Sequence, residues 1–338
     1  MKTRGSILNE SDTVTMMTVD RALYLPACGD FDGGLYFTDF QSVPTAITRR
    51  GKSIRNSAAP PKRLQSLNLN SIPVSKAPNG FLYCGELHRH YGHFVLESLS
   101  RLWPVTHNLD FLERIPVFIA RGSVTAICQQ RFATATLTAL DINSALISDL
   151  KEPCILENVI VPSPSFEIRL RAANNFFSMT GQIGETILSG RTIEPESQPL
   201  YLSKSRLTHG LSRIFNEEEI DHELRARGVD VVYPEQMAFV DQVHAIATHN
   251  TICGSAGSAF HTMLFTKGVK TVRGVVLGDV INSNYLIIDK GLKNHAEYIS
   301  AAEIGLRLMR PDELPKGCSV ARNFYCHDIY KYCDWITR

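Results

Sequence analysis

Short apolar runs and amphipathic stretches alternate along most of this chain. Arg21–Ala27 and Leu35–Asp39 read as two strands around a Gly- and Asp-rich turn at 29–34. Apolar runs at 81–87, 115–120 and 154–161 predict further strands, and a 3.6-residue period predicts helices over 91–108, 124–140 and 169–189. The segment 189–199, with its Ser, Glu and two Pro, is the best linker candidate. Beyond it the alternation restarts, with strands at 200–204, 229–233, 250–253 and 269–276 and helices at 216–227, 238–248 and 258–266. Strands alternating with helices argue for parallel sheets covered on both faces. The expected fold is therefore α/β, in two Rossmann-like domains facing each other across a cleft, with ligands beyond the carboxyl ends of the strands.

The same pattern sets the expected domains. Residues 1–20 are polar and weakly patterned and read as a flexible N-terminus. An N-terminal α/β domain covers 21–190 and a C-terminal Rossmann-like domain 191–320. The stretch 321–338 is helical in pattern, with Phe324, Ile329, Tyr332 and Ile336 as its apolar positions, and is a candidate to pack back on the N-terminal domain.

Composition narrows the classes. A chain of 338 residues suits two domains, and 44% hydrophobic with 20% charged residues describes a globular protein. A formal charge of +1 argues against a broad nucleic-acid or anionic-lipid footprint. Met1–Glu10 has no apolar core of a signal peptide, and no apolar run approaches the roughly 20 residues that span a bilayer. Eight cysteines without a repeated C-x-x-C read as reduced thiols. A cytoplasmic location is expected, with peripheral membrane contact left open.

Three clusters carry chemistry. In the helix expected after Gly85, His93, Glu97 and Arg101 fall at successive four-residue steps, while Phe94, Leu99 and Leu102 face the core. This puts a base, an acid and a cation on one face. The second cluster runs from Ile252 to Phe265. There a strand ends, Gly254 and Gly257 leave room for an anion, and Ser255 and Ser258 offer hydroxyls at a helix N-terminus, one turn before His261. The third joins Lys204, Arg206 and Arg213, in a loop after the strand at 200–204, to Asn216 and Glu219, which have the spacing of a capping box. Trp103 follows the apolar pattern and reads as a core anchor. His88, His90 and His93 lack the cysteine or carboxylate set of a metal centre, so no metal is expected. Asp30 and Asp32 read as turn chemistry. No dinucleotide, Walker or nucleophile-elbow motif is present.

These clusters, in this order, resemble glycosyltransferase family 61. Gly85, His88, His90, Gly92, His93, Phe94, Glu97, Arg101, Leu102 and Trp103 match the family's first block. Tyr201, Ser203, Arg213, Asn216 and Glu217 match the second, with Lys204 where arginine is usual. Gly254, Gly257, Ser258, Ala259 and His261 match the third, with Phe260 for leucine and Thr262 for asparagine.

The resemblance implies a GT-B fold, an inverting mechanism, a nucleotide-sugar donor, commonly a UDP-sugar, and no obligatory metal or other cofactor. It also implies a glycan or glycolipid acceptor, of the kind assembled into capsular polysaccharide or lipopolysaccharide. In such a transfer a base removes the acceptor proton, and Glu97 is the first candidate with His93 its competitor or its orienting partner. Arg206, Arg213, Ser258 and the helix N-terminus after Gly257 would meet the charge of the departing diphosphate. A nucleotide-sugar epimerase or hydrolase, or a non-catalytic component of an assembly complex, stand as alternatives. Oligomeric state is not legible.

Overall fold

The computed structural model describes the chain except residues 8–13, 29–30, 52, 56–59, 108–116, 122–123, 149, 209 and 315–319. It divides into two compact units, Gly5–Ile183 and Met1–Arg4 with Gly184–Arg338.

The first unit is built on a mixed sheet. Its strands are β1 (Met16–Leu25), β2 (Gly34–Phe37), β3 (Phe81–Glu86), β4 (Val117–Arg121), β5 (Ile147–Ser148) and β6 (Cys154–Pro162), in the order β2-β1-β6-β3-β4-β5. The pairings β1/β2 and β1/β6 are antiparallel, whereas β6/β3, β3/β4 and β4/β5 are parallel. Both faces are covered. Ala22 and Tyr24 point into one apolar cluster with Tyr83, Leu156 and Val159, and Leu23 and Leu25 into another with Tyr36 and Ile155. That is why β1 and β6 read as nearly unbroken apolar runs rather than alternating ones. Helices α1 (Arg131–Ala139) and α2 (Asn174–Ile187) follow, α1 preceded by a separate turn at Val124–Cys128.

The second unit holds an all-parallel sheet. Here β7 (Leu200–Leu202), β9 (Asp230–Val232), β10 (Thr251–Ser255), β11 (Thr271–Val276) and β12 (His295–Ser300) run in the order β9-β7-β10-β11-β12. Counted within the sheet this is 2-1-3-4-5, a doubly wound order with its switch point between β7 and β10. Helices α3 (Glu217–Ala226), α4 (Phe239–Thr248) and α5 (Ser283–Leu292) connect the strands, and a small sheet of β8 (Gly210–Ile214), β13 (Leu306–Leu308) and β14 (Val320–Cys326) lies apart in the order β8-β14-β13. The chain closes on helix α6 (Ile329–Thr337).

Several expectations change. Parallel pairing throughout a sheet holds for the second unit only. Residues 1–20 are not wholly loose: Lys2–Arg4 pairs parallel with Val280–Asn282, and Met16 already belongs to β1. Residues 320–326 form β14 rather than helix, and α6 buries Tyr332, Cys333, Trp335 and Ile336 in the core of its own unit with Ile220, Leu224 and Phe324. Its apolar face is thus used within its own unit. The capping box at Asn216 does not form. The Asn216 side chain instead exchanges hydrogen bonds with the backbone of Cys326, donating to its carbonyl at 3.0 Å and accepting from its N–H at 2.9 Å.

Candidate active site

The helix after β3 is not one regular α-helix. It opens as a short α-turn at Tyr91–His93, widens to a π-turn over Phe94–Ser98 and tightens to a 3₁₀ turn over Leu99–Arg101. Single π-turns inside helices are frequent at functional sites. Phe94, Leu99 and Leu102 are buried as their spacing predicts, and Val95 and Leu96 are buried beside them. Ser98 ties the helix back to the strand it follows: its hydroxyl donates to the Glu86 carbonyl and accepts from the His88 N–H, each at 2.9 Å.

The π-turn brings Glu97 to His93, with Oε2 2.5 Å from Nδ1. The partner on the other side of the carboxylate is Arg50, which had no place among the expected site residues. Arg50 sits at the end of the strand Thr48–Arg50, and its Nε and Nη2 donate to Glu97 Oε1 and Oε2 at 2.5 and 2.9 Å. Burial alone would raise the Glu97 carboxyl, but the hydrogen bonds from His93 and Arg50 and the charges of Arg50 and His88 outweigh it and hold it below the ordinary carboxylate range. Glu97 is therefore an anion that can only accept, so the proton on His93 Nδ1 is donated to it. That leaves His93 Nε2 as the ring nitrogen not engaged by Glu97. The exposures fit this division, since the Glu97 side chain is 6% exposed and that of His93 44%.

His88 and His90 stand beside His93, with ring centroids 5.3 and 5.5 Å away. Burial lowers His88, more than Glu86 and Glu97 restore it, and burial with the His93 charge lowers His90. Arg50 Nη2 donates toward His88 Nε2 at 3.4 Å, which leaves the His88 proton on Nδ1, 3.5 Å from Glu86. Thr48, Arg50, Glu86, His88, Glu97, Ser100, Arg101 and Phe166 line one recess here. Among the described residues, no group of three or more His, Cys, Asp and Glu side chains is placed to hold a metal ion.

Arg101 lines the same recess from its buried side. After the π- and 3₁₀ turns its guanidinium points into the protein, 2% exposed, and donates to the carbonyls of Thr45, Ala46, Ile47 and Pro162. It also lies over the Tyr83 ring. Its contacts are those of a clamp on backbone. Trp103 is the core anchor its pattern suggests, with Nε1 donating to the Ser163 carbonyl at 3.0 Å. Asp30 lies outside the described residues, and Asp32 is exposed.

In the second unit the sequence clusters meet at the switch point. Lys204 follows β7, and its Nζ lies 3.4 Å from the Ala256 carbonyl in the turn after β10. It presses on Gly257, where a Cβ would stand 2.7 Å from Nζ. Gly254, with φ +145°, lets β10 approach the Leu202 carbonyl of β7 closely. Ser258 opens a 3₁₀ helix, Ser258–Phe265, rather than the expected α-helix, and its buried His261 lies against the Tyr285 ring of α5, centroids 5.7 Å apart. Ser255 is buried in the core beside Tyr332.

The two arginines go elsewhere. Arg206 is exposed, donates to Glu218 at 2.8 Å and lies over the Tyr233 ring. Arg213 belongs to strand β8, not a loop, and its Nε donates to Asn323 Oδ1 at 2.9 Å.

Behind Lys204 is a buried polar network absent from the expected site. Tyr201 donates to Glu217 Oε1 at 2.9 Å and also meets the Tyr332 hydroxyl, while Ser203 and Ser205 donate to Asp221. Burial pushes Glu217 up to about 7 against the pull of Lys204, and burial lowers Lys204 while Glu217 and Glu235 support its charge.

The glycosyltransferase 61 family model matches residues 91–272. No curated protein matches the chain. The matched stretch runs from the turn that carries His93 and Glu97, through Lys204 and the turn after β10, to the second residue of β11. Because it takes in more than half of the 338 residues, the chain belongs to glycosyltransferase family 61.

Proposed function

We propose that this chain is an inverting glycosyltransferase of the GT-B type that moves a sugar from a uridine diphosphate donor to a hydroxyl of a polysaccharide or glycolipid acceptor in the cytoplasm, with His93 as general base. Family membership supplies the reaction class. The observation that supports the mechanism is the His93–Glu97 pair, with Glu97 Oε2 against Nδ1 and Nε2 not engaged by it on a half-exposed ring.

We read the geometry as favouring His93 over Glu97 as the base. A carboxylate held below its ordinary range and gripped by an arginine is a weak proton acceptor, whereas an imidazole is tuned to neutral pH. In the proposed step His93 Nε2 takes the acceptor proton, the acceptor oxygen bonds to the anomeric carbon, and the bond from that carbon to the diphosphate breaks. Glu97 keeps the tautomer and steadies the imidazolium that forms. On the donor side Lys204, Ser258 and His261 surround the turn after β10, at the sheet edge where open α/β sheets take ligands. They would meet the diphosphate without an obligatory metal.

Incubation with a panel of nucleoside diphosphate sugars and candidate acceptors, following release of the nucleoside diphosphate, tests this. Uridine diphosphate at 100 times its Kd should add about 2.7 kcal/mol of stability. His93→Ala should lose on the order of 10²–10⁴-fold in transfer, and Glu97→Gln should lose transfer while still binding donor. A panel in which no nucleotide raises the Tm and no sugar is transferred defeats the proposal.

A further inference from the structure

We infer that Arg50 is a positioning residue for the proton transfer: its fork grips both oxygens of Glu97 and thereby sets the direction and strength of the carboxylate's hold on His93. The inference rests on the reading of His93 as base and extends it to a residue that lies outside the family match, which begins at residue 91.

The clamps form a chain. Arg101 holds the backbone of 45–47, donating to three successive carbonyls, and also reaches Thr48 Oγ1 at 3.3 Å. That segment leads directly into Thr48–Arg50, whose turn is fastened on its far side by the Gly51 N–H donating to the Ile168 carbonyl at 2.8 Å. Arg50 then presents Nε and Nη2 to the two oxygens of Glu97, 2.5 and 2.9 Å away, and only Oε2 is shared with His93. A two-point grip fixes the plane of a carboxylate, which a point charge cannot do. With that plane fixed, Oε2 can lie on Nδ1 alone, and the tautomer follows.

The sign of the electrostatic effect is also set. His93 is faced by Glu97 on its own helix, by His88 and His90 from the turn after β3, by Glu86 behind His88, and by Arg50 behind Glu97. Arg50 is the one permanent cation in that set. It draws on the charge that would otherwise hold a proton on His93, so it favours the neutral imidazole that a base requires.

The test pairs an NMR titration of the histidines in the full chain, with His93 assigned through His93→Gln, with pH profiles of transfer. Arg50→Gln should move the His93 midpoint up by about one pH unit. It should move the acid limb of kcat/KM the same way and lower kcat on the order of 10²-fold with donor KM unchanged. Arg50→Lys should keep the midpoint near that of the unmodified chain yet lose kcat, because lysine restores the charge but not the fork. Arg49→Gln, one residue away and exposed, should change neither.

An unmoved His93 midpoint in Arg50→Gln overturns the inference. If that variant does not fold, Arg50→Lys decides, and unmodified kcat in it also overturns the inference. A shifted midpoint in a protein that transfers no sugar would sink the glycosyltransferase reading of this site and leave the role of Arg50 standing. Sugar transfer with an unmoved midpoint would do the reverse.

Discussion

Two buried carboxylates in this chain are driven in opposite directions by their neighbours, and the difference has consequences at the level of single residues. Glu97 is desolvated but receives donors on both oxygens, so it stays ionised. Glu217 is buried more deeply still, and its partners are a tyrosine hydroxyl and a lysine that burial itself weakens, so it is pushed up to about 7. An acid raised in the folded state keeps a proton that the unfolded chain has already released. Stability is therefore lost as pH rises from about 4.5 through about 7, by on the order of 3 kcal/mol. Glu217→Gln removes the titration, so the fall in Tm between pH 5 and pH 8 should flatten in that variant. An equally steep fall would mean that some other group is responsible.

At the scale of elements, a four-residue spacing was only partly readable. His93 and Glu97 meet as the spacing predicts because one turn separates them, whether α or π. Arg101 lies a further turn on, after the π-turn has widened the helix and the 3₁₀ turn has tightened it; it still borders the recess, but its guanidinium is taken up by backbone carbonyls. Arg50 was not legible at all, because a run such as Arg49-Arg50-Gly51 carries no period and its partner is 47 residues away. The glycine pair at the end of β10 was legible as a close approach, but the two glycines do different work. Gly254 combines φ +145° with a Cβ position 2.8 Å from the Leu202 carbonyl, so Gly254→Ala should cost about 1–3 kcal/mol by chemical denaturation. Gly257 is extended at φ −165°, where any residue fits, and its neighbour is the mobile end of Lys204. Gly257→Ala should leave stability nearly unchanged and weaken donor binding about tenfold, or about 1.4 kcal/mol, by displacing that ammonium. Unchanged donor affinity would remove Lys204 from the donor site.

For the whole molecule, the alternation of strands and helices disclosed the parallel sheet of the second unit, since each βα step is local. It could not disclose that β1 pairs antiparallel with β6, because Tyr24 meets Cys154 across 130 residues and the apolar content of β1 is the same for either direction. Nor could it place the last helix. The period identified Ile329, Tyr332 and Ile336 as apolar, but which core they enter depends on β14, a strand hidden in a stretch that reads as helix. In the structure α6 finishes the core of the second unit, with Tyr332 hydrogen-bonded to Tyr201 at 2.9 Å and Trp335 and Ile336 packed among residues of α3 and β14. That core backs the switch point where Lys204 and Gly257 lie, so the end of the chain supports the proposed donor edge from behind. Ile336→Ala should then cost about 2–5 kcal/mol in urea unfolding and Trp335→Ala about 3–5. Tyr330→Ala, on the exposed side of the same helix, should stay within about 0.5 kcal/mol. If all three substitutions were neutral, α6 would be an ornament rather than part of the core, and the proposed donor edge would have to be held by β7, β10 and their helices alone.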